Sequence, residues 1–331
     1  MSDVLRVPSH RGDDLEESLL GSHPAMVSVR ATIRRVAAGG LPVLIEGETG
    51  TGKELIAAAL HRLSGRRGPY VPVNVSTLPE QLADAELFGA ERGAYTGAHA
   101  RRVGLVEHAN NGTLLLDEAG DLPSWLQCKL LRVLEDGCVR PLGANGEHRV
   151  TFRLVVTTQY PTEALLVERA WRQDFFYRVA GVRVRVPPLR DRKEDIIGLA
   201  SRFVERSGGS ADEAALMPLA SGAWPGNVRQ LKRVVERAVS LSESGWLTPT
   251  HVEEVMRDDP AVWSAASSPV GVQHGRRRGA ADAEEIRRVV HGAPNYAEAA
   301  RSLGFSLRTL HRRLDELGLR KSATRSATEC Q

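Results

Sequence analysis

Leu41–Glu54 reads LPVLIEGETGTGKE. An apolar, strand-sized run (Leu41–Glu46) meets a glycine-rich turn, and Lys53 then opens a helix-patterned stretch that runs to Leu63. The spacing Gly47-x4-Gly52-Lys53 is that of a phosphate-binding loop. Glycines let successive backbone N–H groups curl around an anion. The start of the following helix adds positive field, and the lysine reaches the outer phosphates. Gly47, Glu48, Thr49, Gly50, Thr51, Gly52, Lys53 and Glu54 are therefore the candidate nucleotide-binding residues. The alternative is a chance glycine turn. The strand before it and the helix after it weigh against that, as does the scarcity of lysine, 5 of 44 basic residues. The residue after the lysine is Glu54 where a Ser or Thr is usual, so no hydroxyl is offered there to Mg2+.

Gly112–Gly120, GTLLLDEAG, is a buried-strand run ending in two carboxylates. After a phosphate loop, that pattern assigns Asp117 to Mg2+, directly or through water, and Glu118 to polarising an attacking water. A strand ending in Asp is common by itself; the preceding loop gives this one its meaning.

Around these motifs strands and helices alternate. Residues 23–40 read as an amphipathic helix ending at Gly39-Gly40. Leu41–Glu46, Tyr70–Val75, Thr113–Leu116, Phe152–Thr157 and Val182–Val186 read as strands, and Leu122–Glu135 as a helix. The alternation argues for an α/β fold with a parallel sheet flanked by helices. The expected organisation is a polar lead-in over 1–22, an α/β nucleotide-binding part over 23–190 and a smaller helical part over 191–258. A Pro/Ser/Gly-rich linker over 259–280, a helical module over 281–320 and a tail over 321–331 complete it.

Composition excludes several classes. The 331 residues carry 42% apolar and 26% charged side chains, as globular proteins do. Cys128, Cys138 and Cys330 cannot make a disulfide framework and form no metal-binding pattern. The N-terminus lacks the apolar run of a signal peptide, and no apolar stretch is long enough for a membrane span, so a cytoplasmic location is expected. Residues 276–331 hold 12 basic against 7 acidic residues, whereas residues 1–275 hold 32 against 34. A mildly acidic body with a basic end points to a C-terminal nucleic-acid module.

Residues 295–317, NYAEAARSLGFSLRTLHRRLDEL, fit a helix-turn-helix. Ala297, Ala300 and Leu303 share one face, and Gly304 allows a tight turn. Ser306 is a good cap for a second helix whose leucines face inward. That leaves Arg308, Thr309, His311, Arg312 and Arg313 outward: Arg308, Thr309 and Arg312 toward base edges, Arg313 toward phosphate. The plainer alternative is a helical hairpin with solvated charges.

Glu86–Ala98 reads ELFGAERGAYTGA. With GETGTGKE, LLLDEAGDLP, FRLVVTTQ, WRQDFFYRV, VPPLRDR and WPGNVRQLKR in the same order, the chain resembles the AAA+ domain of sigma-54-dependent transcriptional activators, the bacterial enhancer-binding proteins. The resemblance runs from about residue 21 to 255. It resumes over 282–319, which resemble the family's factor-for-inversion-stimulation-type helix-turn-helix. It implies an AAA+ P-loop ATPase with an all-α lid and a C-terminal DNA-binding module, using ATP and Mg2+.

Carried over residue by residue, the resemblance makes Asn74 the holder of the catalytic glutamate. Arg172 and Arg178 become the pair reaching a neighbouring subunit's nucleotide, and Arg229 the lid sensor. It also makes Glu54 normal for the family. Gly93, Ala94, Tyr95, Thr96, Gly97 and Ala98 match the loop that contacts sigma-54, with Tyr95 where Phe is usual. Thr158 and Gln159 match sensor I, with Gln159 where Asn is usual. The implied partners are sigma-54 RNA polymerase holoenzyme, enhancer DNA and further copies of the chain in a ring, usually a hexamer. Only about 22 residues precede the ATPase, so a separate regulatory protein is a further expectation. The alternatives are a DNA-binding AAA+ regulator decoupled from sigma-54 and a AAA+ ATPase acting on DNA itself.

Overall fold

The computed structural model describes residues 15–95, 100–168, 170–242, 245–259, 262 and 289–290. Of two compact units, Met1–Pro269 and Val270–Gln331, the first holds nearly all of these. Ser306, Arg308, Thr309, His311, Arg312 and Arg313 lie outside the described residues, as do Thr96, Gly97 and Ala98.

The first unit begins with α1 (Leu15–Ser18), α2 (Pro24–Val36), β1 (Val43–Glu46), α3 (Lys53–Leu63) and β2 (Tyr70–Asn74). After these come α4 (Ala83–Phe88), β3 (Gly89–Ala90), β4 (Arg102–Val103), α5 (Leu105–His108) and β5 (Thr113–Asp117). Next are α6 (Ser124–Asp136), β6 (Cys138–Val139), β7 (His148–Arg149), β8 (Arg153–Thr158), α7 (Thr162–Val167), α8 (Gln173–Val179) and β9 (Val182–Arg185). Four helices close the unit: α9 (Glu194–Arg206), α10 (Glu213–Leu216), α11 (Asn227–Leu241) and α12 (Pro249–Asp258).

The main sheet is wholly parallel, in the order β2-β5-β8-β1-β9. Its strands alternate between two apolar layers. Leu44, Val73, Leu114, Leu116, Leu154 and Val156 point to the side of α6 and α8, with Leu126, Leu130 and Phe175. Val43, Ile45, Leu115, Val155 and Val184 point to the side of α2 and α3, with Ile33, Ile56 and Leu60. Each fully buried aliphatic side chain contributes about 1.5–3 kcal/mol, so this two-sided burial selects parallel strands rich in Val, Leu and Ile. The chain reverses its strand order between β1 and β8, and the crevice beyond the carboxyl ends there is where such sheets take ligands.

Helix ends follow the sequence. His23 Nδ1 accepts the Ala25 N–H at 3.2 Å and Pro24 occupies the first turn, so α2 starts there. The last helical residue is Val36, short of the Gly39-Gly40 expected to end it. Arg153, fully buried, donates to Ala37 O at 2.5 Å and Val36 O at 2.8 Å, placing a cation on the helix's carbonyl end.

The helical part packs Leu199, Phe203, Trp224, Leu231, Val235 and Val252 into a separate core. Trp224 is fully buried, and its Nε1 donates to Leu219 O at 2.9 Å. Two small hairpins, β3–β4 and β6–β7, project from the α/β part; neither was legible as a strand pattern.

Candidate nucleotide site

The loop after β1 turns on Gly50 (φ +80°) and Gly52 (φ +102°), both in the left-handed region. Gly50 also needs to lack a side chain, because a Cβ there would lie 2.3 Å from Gly226 O. Gly52 caps α3 with no side-chain hydrogen bond; the Leu55 N–H turns back to Gly52 O at 3.1 Å, which leaves the Lys53 and Glu54 N–H groups at the helix start to face an anion. Lys53 Nζ donates to Gly47 O at 2.7 Å and Glu48 O at 3.0 Å, so the ammonium is held inside the loop. Burial pushes the Lys53 pKa down, and Asp117 and Glu118 oppose that shift.

Register brings the second motif to the same place. Asn74 pairs with Asp117 across β2 and β5, and Glu46 with Thr158 across β1 and β8, so four strand ends converge. The Thr157 hydroxyl donates to Asp117 Oδ1, and its oxygen accepts the Glu118 N–H at 3.2 Å. Glu118 sits at φ +56°, a left-handed conformation that costs a side-chain-bearing residue about 1–2 kcal/mol. Its Oε2 accepts from Ser76 Oγ at 2.8 Å, and the turn behind it is held by Trp171 Nε1 on Ala119 O at 2.9 Å. Thr157 and Ser76 were not singled out in the sequence. Their only signal is position, one at the end of a buried strand and one two residues after Asn74.

Burial, and next the Asp117 carboxylate, raise the pKa of Glu54. Of the carboxylates on the cleft, Glu54 and Asp117 stand close enough to interact, and such oxygens are a fitting donor set for a divalent cation. Among the described residues no group of three or more His, Cys, Asp or Glu forms a metal cage. A Mg2+ here would complete its shell with phosphate oxygens and water, as that ion commonly does.

Gln159 reaches the phosphate loop, where its Oε1 accepts from Thr49 Oγ1 at 2.6 Å. Thr158 is buried and serves the turn at Tyr160 instead.

The helical part closes over the loop through polar contacts. Arg190 grips Glu48 with two bonds, at 2.7 and 2.6 Å, and holds its carboxyl below the usual carboxylate range. Asn227, fully buried at φ +53°, donates to Glu48 Oε2 at 3.1 Å and Thr49 O at 3.0 Å and accepts the Leu189 N–H at 2.7 Å. The Arg229 N–H donates to Gly50 O at 3.2 Å. Between the two parts lies a cleft of about 580 Å³. Thr49, Gly50, Gly52, Lys53, Glu54, Asp117 and Glu118 line one side, and Phe203, Val228, Arg229 and Lys232 the other. Lys53, Arg206, Arg229 and Lys232 bring four cations to the lining, and Leu55, Phe203 and Val228 offer apolar surface.

Arg172 and Arg178 do not line this cleft. Arg172 pairs with Asp174 at 2.7 Å on the surface, and Arg178 donates to Leu134 O. Gly93, Ala94 and Tyr95 lie at the root of the loop between β3 and β4. That root is fastened by Glu91 N–H to Leu142 O at 2.9 Å and by Arg101 to Glu91 at 3.4 Å. Gly89, at φ +88°, has no room for a Cβ, which would fall 2.7 Å from Arg102 O.

Residues 19–185 match the family model of the sigma-54 interaction domain, and residues 190–269 that of the AAA+ ATPase lid domain. The chain is 37% identical to the regulatory protein AtoC of Escherichia coli (strain K12) over 319 residues, 91% of this chain and 68% of that protein. It is 37% identical to the DNA-binding transcriptional regulator NtrC of the same organism over 333 residues, 91% of this chain and 70% of that one. Among solved structures, NtrX from Brucella abortus in complex with ATP superposes with a TM-score of 0.64 at 32% identity, covering 91% of this chain and 69% of NtrX.

Proposed function

The chain belongs to the family of sigma-54-dependent transcriptional activators and is an AAA+ ATPase, and from that premise we propose that it binds upstream DNA and uses ATP to remodel the sigma-54 RNA polymerase closed complex. The observation that carries the reading is the convergence of Lys53, Asp117 and Glu118 at the strand ends, under a helical lid tied to the same loop.

In this reading the first-turn N–H groups of α3 and Lys53 bind the phosphates, and Arg229 senses them from the lid. Asp117 would hold a Mg2+, directly or through water, and the ion would offset charge on the phosphates. Glu118 orients the attacking water. Arg172 and Arg178 reach the site of the adjacent subunit in a ring, a hexamer by family precedent, and break their Asp174 and Leu134 contacts to do so. The GAYTGA loop, with Thr96 central, engages sigma-54. Glu48, Thr49 and Gly50 of the phosphate loop are bonded to Arg190, Asn227 and Arg229 on the lid side and to Gln159 just after β8, which supports coupling of nucleotide state to lid position and then to the GAYTGA loop. Ser306, Arg308, Thr309, His311, Arg312 and Arg313 read the enhancer.

Open-complex formation at a sigma-54 promoter tests this, with ATP and with a non-hydrolysable analogue. ATP-dependent opening supports the activator. Hydrolysis without opening supports the decoupled regulator.

A further inference from the structure

Asn74, Ser76 and Glu118 place three oxygens around one proton. Ser76 Oγ lies 2.7 Å from Asn74 Oδ1 and 2.8 Å from Glu118 Oε2. Asn74 Oδ1 also accepts the Ser76 N–H at 2.9 Å, a turn that fixes where the hydroxyl stands. Among the described residues no hydrogen bond joins Asn74 to Glu118 directly. A hydroxyl donates one proton, and both neighbours are acceptors, so they compete for it. We propose that Ser76 is the positioning residue of the ATPase site: its hydroxyl sets the orientation of the Glu118 carboxylate, and Asn74 acts on Glu118 only through it.

The chemistry follows from Glu118 itself. The terminal torsion of a glutamate is broad. A donor on Oε2 therefore decides which oxygen faces the cleft and the water there. The plain alternative is that Ser76 only shapes the short 3-10 turn Val75–Thr77. The inference rests on the assignment of Glu118 as the water-orienting group.

The test is steady-state phosphate release from Mg·ATP by the full chain, with ADP affinity and thermal melting measured alongside. Ser76→Ala should lower kcat about tenfold, the effect of losing one hydrogen bond to a charged group. KM, ADP affinity and melting temperature should stay near wild type. Ser76→Thr should restore most of the rate. The Asn74→Ala, Ser76→Ala double variant should be no slower than Ser76→Ala alone, because residues acting in series are not additive. An unchanged or raised kcat in Ser76→Ala, additive losses, or a loss tracking melting temperature overturns the proposal. Glu118→Gln separates the two assignments. If it is inactive while Ser76→Ala turns over normally, only the serine's role is rejected. If it turns over ATP, the glutamate's role falls, and the serine's with it.

Discussion

Arg190 and Glu48 meet face to face, Nη1 on Oε2 at 2.7 Å and Nη2 on Oε1 at 2.6 Å, joining the first residue of the lid-domain match to the second residue of the phosphate loop. Both side chains are about one third exposed, so water screens the pair, and about 1 kcal/mol is a fair measure of it. Arg190→Ala should lower unfolding free energy by that amount and weaken ATP binding severalfold. The pH dependence has a definite sign. Arg190 depresses the Glu48 pKa, so the pair's stabilisation is complete above the pKa of an unfolded glutamate, about 4.3, and is lost as pH falls through the lower folded value. Urea melts of both proteins should differ by a constant amount from pH 7 to about 5.5 and converge only once the pH falls below the depressed folded pKa of Glu48.

Lys53 and Glu118 share the cleft but divide its work. Lys53→Ala removes the ammonium that Gly47 O and Glu48 O hold in place. It should abolish nucleotide binding in a fluorescent-ADP titration, without a drop in melting temperature greater than a few degrees. Glu118→Gln keeps the side chain's shape and removes its charge, so binding should persist while phosphate release falls at least a hundredfold. Retained binding by Lys53→Ala contradicts the loop assignment.

The parallel sheet was legible because its strands are short apolar runs separated by helix-patterned stretches. β1, β5 and β8 lie where Leu41–Glu46, Thr113–Leu116 and Phe152–Thr157 placed them. The phosphate loop was legible because glycine spacing encodes backbone shape directly. Contacts made across the fold were not. Asn227 is one asparagine in WPGN until β1, the loop and α11 assemble, and only then does its amide bridge Leu189, Glu48 and Thr49. Ser76 depends likewise on the β2–β5 register that sets Asn74 beside Asp117. The β3–β4 and β6–β7 hairpins have two-residue strands, too short for any periodicity to show.

The root of the GAYTGA loop is fastened to Leu142 and Glu107 as well as to its own hairpin, through backbone bonds and Arg101. Chemistry in the cleft and contact at the loop are therefore separable by mutation. Thr96→Ala should hydrolyse ATP at the wild-type rate and fail to open a sigma-54 promoter. Loss of hydrolysis in that variant would mean that the loop shapes the site rather than reading it out.

Arg178 donates to Leu134 O within its own chain, and Arg172 is paired with Asp174, so neither reaches the cleft of the subunit that carries it. If they serve a neighbour, the defects complement. Arg178→Ala keeps an intact site and lacks the arginine; Lys53→Ala lacks the site and keeps the arginine. Each alone should be nearly inactive, since such an arginine contributes about 10³–10⁵ in rate. Mixed in equal amounts in a closed ring, about one quarter of the interfaces pair a good site with a good arginine, so roughly a quarter of wild-type turnover should return. A mixture as inactive as its parts would place Arg178 in its own subunit's structure and remove the interface from the catalytic site.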